Sequence, residues 1–259
     1  MDKKINFNRK GQVTMWIIFA IALIGVVILF FVVIERPGAI TPGEEFEPRS
    51  YIERCTRDSV IEAIDIMLPQ GGFIEPKNYK TFDDINVEYI CDNINNDAKC
   101  INQHPMLFDD VKNEIKVYTK PKIEKCFSNL KTELEKRKWE VNYGVMSYDV
   151  NLNPDSVNLD IERKTNVMKG EEKLTIDEYN IRVNSPVYNL IDVANAIAEQ
   201  ESKNCYFDYV SYMIFYPRFK IIPFSMSDST VIYTIRDAQT DNELNIAIRS
   251  CASTPGVRR

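Results

Sequence analysis

The chain has 259 residues, 44% of them hydrophobic and 27% charged, with a formal net charge of −6 at pH 7. That is enough chain for one large domain or two small ones with cores of their own, and it excludes a globally disordered protein. The first ten residues carry +3 (Lys3, Lys4, Arg9 and Lys10 against Asp2), so −9 falls on the rest, and an acidic body argues against gripping nucleic acid, whose phosphates require a basic surface.

Residues 1–12 form a basic tail ahead of Val13 to Ile34, 22 residues with no charge and only Thr14 as a polar side chain. As a helix this run extends roughly 33 Å, enough to cross a hydrocarbon core of about 30 Å. A buried core helix seldom keeps every face apolar for so many turns. A cleaved secretory signal would have a shorter apolar stretch ending in a small-x-small site, whereas Glu35-Arg36-Pro37-Gly38 follows here. The run 13–34 is therefore expected to be a retained transmembrane helix. The positive flank places the N-terminus in the cytoplasm and the bulk of the chain outside the cell.

Residues 35–48 hold three prolines, two glycines and four acids, a tether that breaks the helix. Residues 49–138 are expected to be the helical part of the outer domain. In the first helix Ile52, Cys55, Ser59, Ala63 and Ile66 share a face, and Pro69-Gln70-Gly71-Gly72 ends it. Residues 73–106, polar and rich in Asn and Asp, read as an irregular excursion. A second helix starts near Leu107, is kinked or broken at Pro121, and continues through Ile123, Cys126, Phe127, Leu130 and Leu134.

From residue 139 to 259 the pattern favours sheet. Val157, Leu159 and Ile161 alternate with polar residues, Met168 to Glu172 turns the chain, and the return strand changes phase, which predicts a β-bulge near Asp177-Glu178. Ser185-Pro186 opens a helix bearing Val187, Leu190, Ile191, Ala194, Ile197 and Ala198 on one face. Strands are then expected over 210–216, 219–224, 231–235 and 244–248. The aromatic residues Tyr206, Phe207, Tyr209, Tyr212, Phe215, Tyr216, Phe219 and Phe224 are assigned to a core rather than to a recognition surface. The fold class is α+β, helices packed on a mainly antiparallel sheet and held by disulfides.

All six cysteines lie beyond the apolar run, in the compartment where disulfides persist. There is no C-x-x-C pair, and His104 is the only histidine, so disulfides are preferred to a zinc site. Six cysteines allow about 15 connectivities, among which sequence alone does not choose; the near-identity of Ile52-Glu53-Arg54-Cys55 and Ile123-Glu124-Lys125-Cys126 suggests a Cys55–Cys126 bridge between two helix faces. Cys91 and Cys100 are near enough to close a local loop, and Cys205 would then join Cys251. A search for P-loop, dinucleotide-binding, zincin and nucleophile-elbow patterns finds none, and one histidine leaves little with which to build a catalytic triad. No enzyme activity, no cofactor and no metal is expected.

The opening Arg9-Lys10-Gly11-Gln12-Val13-Thr14, followed directly by the apolar run, resembles the class III signal segments of archaeal type IV pilin-like proteins. The resemblance implies a cut between Gly11 and Gln12 on the cytoplasmic side, with the helix kept as an anchor or packed inside a filament. The family commonly has Ser two positions and Glu four positions after the Gln, where this chain has Thr14 and Trp16. Because that acid acts in filament assembly, the resemblance implies anchoring more than polymerisation. With its Ile-Glu-x-Cys helices and Gln70-Gly71-Gly72, the outer part looks like anchored archaeal surface proteins of unassigned function. The expectation is a single-pass, membrane-anchored structural or interaction protein of an archaeal-type envelope, serving attachment, assembly or envelope structure. Its partners would be the lipid bilayer, through 13–34, and a protein or a second copy of the chain at the cell surface. A pilin-like filament subunit is the alternative, and an extracytoplasmic enzyme comes third.

Overall fold

The computed structural model of the chain describes residues 23–24, 47–93 and 98–251, in two compact units, 1–47 and 48–259. In the first unit Leu23 and Ile24 are helical and exposed. The remainder of the expected span 13–34, the tail with Gly11 and Gln12, and residues 35–46 of the tether lie outside the described residues. Among the described residues no helix is long and apolar enough to cross a membrane.

The second unit is α+β, with two antiparallel-rich sheets and three disulfides. Helix α1 (Pro48–Met67) opens with a proline, tolerated in a first turn because that N–H has no helical acceptor. It buries Ile52, Thr56, Ser59, Val60, Ala63, Ile64 and Met67. A short 3-10 turn, Leu68–Gln70, follows, and Gly71 and Gly72 then take φ of +84° and +92°. No larger residue fits there: a Cβ on Gly72 would stand 2.9 Å from Cγ2 of Val111, and one on Gly71 3.0 Å from Cβ of Glu88.

Helix α2 (Leu107–Lys136) buries Leu107, Val111, Ile115, Thr119, Ile123, Phe127, Leu130 and Leu134 at helical spacing. It runs unbroken through Pro121, against the break expected there. Pro121 is exposed and so is Val117, the residue four positions earlier whose carbonyl loses its N–H partner, so that carbonyl can be satisfied by water. Cys55 of α1 is bonded to Cys126 of α2.

The first sheet has the order β1 (Tyr79–Phe82), β2 (Ile85–Asp92), β10 (Glu243–Arg249), β9 (Thr230–Asp237) and β8 (Phe219–Ser225), with β3 (Ile101–Asn102) also on β2. Only β2 and β10 run parallel. The segment read as an irregular excursion thus supplies the strand on which β1, β3 and β10 all pair, and residue 138 marks no boundary between a helical and a sheet-rich part. Its polar character misled the reading: Val87 to Cys91 are all buried, Glu88 among them, because its charge is met by local donors. Asp83 and Asp84, at φ +47° and +64°, make the tight turn between β1 and β2, a hairpin signal that Asp tolerates better than most residues.

The second sheet is built on β6 (Ser156–Lys169), with β7 (Glu172–Asn184) along one edge and β5 (Ser147–Asn153) and β4 (Glu140–Tyr143) consecutively along the other. Its register shifts between Glu162 and Thr165 of β6, opposite Asp177. The phase change expected at Asp177-Glu178 is present, since Ile176 and Tyr179 are buried with two exposed residues between them, but the extra residue belongs to β6. Phe127 of α2 meets Tyr143 and Tyr179 edge-on at 5.3 and 5.4 Å, and Tyr143 donates to the Phe127 carbonyl at 2.8 Å.

Helix α3 (Val187–Asn204) packs on the first sheet. Its buried Glu201 accepts from Tyr233 Oη at 2.6 Å and from Ser250 Oγ at 2.8 Å. Cys205, just past its end, is bonded to Cys251, and Cys91 of β2 to Cys100. Residues 210–216, expected as a strand, instead lie in a short helix α4 (Tyr209–Phe215) and its C-cap Tyr216. Asp208 caps it, accepting from Ser211 N at 3.1 Å, and Pro217 follows its end, so local capping outweighs the strand preference of the aromatic residues.

Candidate functional site

Each of the six cysteines is bonded, none is free, and the pairs are those expected from the matching tetrapeptides, the short loop and the remainder. They are structural. Gly11 and Gln12 lie outside the described residues. Among the described residues no three His, Cys, Asp or Glu side chains are grouped to hold a metal ion.

His104 sits three residues before α2, tilted against Phe73 with ring centroids 4.5 Å apart. Its Nδ1 is 2.9 Å from Asp110 Oδ2 and its Nε2 is 3.4 Å from Glu88 Oε1. Glu88 is 3% exposed and also accepts from the backbone N–H groups of Lys77, at 2.6 Å, and Asn78, at 3.2 Å. Burial works to lower the pKa of His104, but the hydrogen bonds and charges of Glu88 and Asp110 outweigh it, and the imidazole titrates above its ordinary value. With both ring nitrogens facing carboxylates, neither is free to take a proton from a nucleophile. The cluster pins the loop after Gly72 to β2 and α2.

The aromatic segment gives a different picture from the one expected of it. Phe207 is buried against Tyr212 and Tyr233. Helix α4, by contrast, buries no residue at all. Val210 is 51% exposed, Ile214 72%, Phe215 77% and Tyr216 54%, and Tyr206 beside them is also exposed. Core assignment therefore holds for Phe207 and fails for most of its neighbours. The reason is geometric: a helix of two turns capped at both ends rests on the sheet through one narrow side, here Tyr212 and Met213, with Ile221 N donating to Met213 Sδ at 3.2 Å.

Between α4 and α3 lies a cleft of about 340 Å³ lined by Asn189, Asp192, Asn195, Glu199, Tyr212 and Tyr216, with Ala196 and Phe219 completing it. No family model matches the chain, and no curated protein or solved structure is similar to it. Its own geometry therefore carries the functional reading. The four polar residues of α3 are three or four positions apart and form one stripe. Tyr212 and Tyr216 form an i, i+4 pair with ring centroids 4.6 Å apart. Burial, the Asp192 carboxylate and Tyr216 push the Tyr212 phenol up to about 12. The sequence signal for this helix was the i, i+4 spacing of Val210 with Ile214 and of Tyr212 with Tyr216 after an Asp cap.

Proposed function

We propose that the chain is a single-pass, membrane-anchored, extracytoplasmic protein of an archaeal-type envelope that acts by binding a protein partner, in attachment, assembly or envelope structure, rather than by catalysis. The observation that carries the binding role is α4, a seven-residue helix that buries no residue and gathers three large exposed apolar side chains, Val210, Ile214 and Phe215. Scattered exposed apolar residues are ordinary on any protein, whereas several gathered on one short helix mark a contact surface. Support for the anchor is the uncharged run 13–34 with its basic flank. The three disulfides suit an oxidising compartment.

A photo-crosslinking amino acid placed at Phe215 of the full chain on the cell surface should give a discrete adduct. The same probe at Val145, which is 94% exposed but stands alone in the loop between β4 and β5, should not. Equal labelling from both positions, or none from 215, overturns the binding role. An adduct of the chain with itself, together with a native N-terminus beginning at Gln12, would favour the pilin-like subunit over the monomeric anchor.

A further inference from the structure

The geometry points to the cleft between α3 and α4 as a receptor for one cationic side chain, an arginine carried by a segment of the partner protein, with the apolar neighbours of that arginine covering α4. This rests on the reading of α4 as a contact surface and names the chemistry of what it contacts.

Charge and ring placement carry it. Asp192 and Glu199 bring two carboxylates to the cleft and Tyr212 and Tyr216 two aromatic rings, while the ring of Phe219 already faces the Arg218 guanidinium at 5.7 Å. The cations nearby are already engaged: Lys203 pairs with Glu199, and Arg218 pairs with Asp155 and with the fully buried Asp237. Asn189 is likewise taken, donating to Asp155 at 2.7 Å. Asp192 makes no hydrogen bond or ion pair among the described residues, yet its field reaches the Tyr212 ring. An exposed carboxylate with no partner among the described residues, beside two phenol rings tilted 35° to one another, suits a guanidinium, which binds carboxylate through two parallel N–H groups while lying flat on an aromatic ring. An anion would meet Asp192, and a purely apolar side chain would leave it desolvated without a partner. Phe215 follows Tyr212 by three positions and so adjoins the cleft face of α4, where a residue flanking the arginine can cover it.

The test uses the full-length, oxidised chain in lipid nanodiscs and three nine-residue peptides, alike except for arginine, citrulline or glutamate between two leucines at the centre. Citrulline keeps the shape of arginine and removes its charge. The arginine peptide should bind at least about tenfold more tightly than the citrulline peptide, and the glutamate peptide should bind most weakly. Asp192→Asn should abolish the preference for arginine while leaving citrulline binding unchanged, which a general loss of structure would not do. Phe215→Ser should weaken the arginine and citrulline peptides alike. Equal binding of the two by the parent chain, or an arginine preference that survives Asp192→Asn, overturns the arginine pocket. Should Phe215→Ser still weaken both peptides in that case, α4 stands as a contact surface and only the cleft assignment falls. No binding of any peptide overturns the pocket, and crosslinking from 215 then decides α4 independently. Displacement of the arginine peptide by spermidine at equal concentration would assign the cleft to free polycations and overturn the peptide occupant.

Discussion

His104 shows how one side chain ties local charge to stability. It is the sole histidine of the chain, and its imidazole bridges Asp110 and the buried Glu88. Its folded pKa lies above the ordinary value of 6.5. The stabilisation from its charged form is therefore complete below about 6.5, the unfolded value, and is lost as pH rises through the higher folded value. Unfolding by denaturant, followed from about pH 6 to pH 8, should show stability falling across that window. His104→Gln should flatten the dependence by removing the titrating group. A slope that persists in the variant would show that another group carries it. Nothing in Gln103-His104-Pro105 indicates that a glutamate sixteen positions earlier, on β2, faces this residue.

At the scale of elements, the bridges differ in what they do for the fold. Cys55–Cys126 spans 71 positions and Cys91–Cys100 only 9. Because loop-closure entropy grows with the logarithm of loop length, the chain-entropy account assigns about 4 kcal/mol to the first and about 2.5 kcal/mol to the second. Replacing Cys55 and Cys126 together by alanine should lower unfolding stability more than replacing Cys91 and Cys100, as measured by denaturant midpoints in the oxidised state. The reverse order would mean that the local bridge holds β2 in register and that entropy is the lesser effect. The tetrapeptides around Cys55 and Cys126 made the first bridge legible, since each puts a cysteine on the apolar side of a helix and two such faces satisfy one another. The strand β2 was not legible, because burial of Glu88 depends on amide donors from Lys77 and Asn78 that are set in place only when the loop folds back. Helix α4 was misread for a related reason. β-propensity describes how a side chain fits a pleated, half-buried surface, and here the Asp208 cap and Pro217 hold residues 209–215 in a helix that pairs with no strand.

For the whole molecule, the prediction concerns which side of the membrane carries the folded unit. We propose, from the uncharged run 13–34, its basic flank and the placement of every cysteine after it, that residues 48–259 lie outside. Protease added to intact cells should remove everything beyond residue 35 and spare the N-terminal tail, as read by antibodies to tags at each end. Protection of the C-terminal tag would overturn both the topology and the reason for expecting disulfides.

Local pattern by itself determined the elements whose period matches their burial, namely α1, α3, the two halves of α2 and the β6–β7 hairpin, along with the α+β class. These follow from alternation and helical spacing, which are properties of neighbouring residues. Tertiary structure alone decided that β2 pairs in parallel with β10, that Arg218 joins Asp155 to Asp237, and that α4 rests beside the acidic stripe of α3. Each of these joins residues well separated in the chain, the first by edge pairing, the second by charge neutralisation and the third by packing, and those energies exist only once the partners have been brought together.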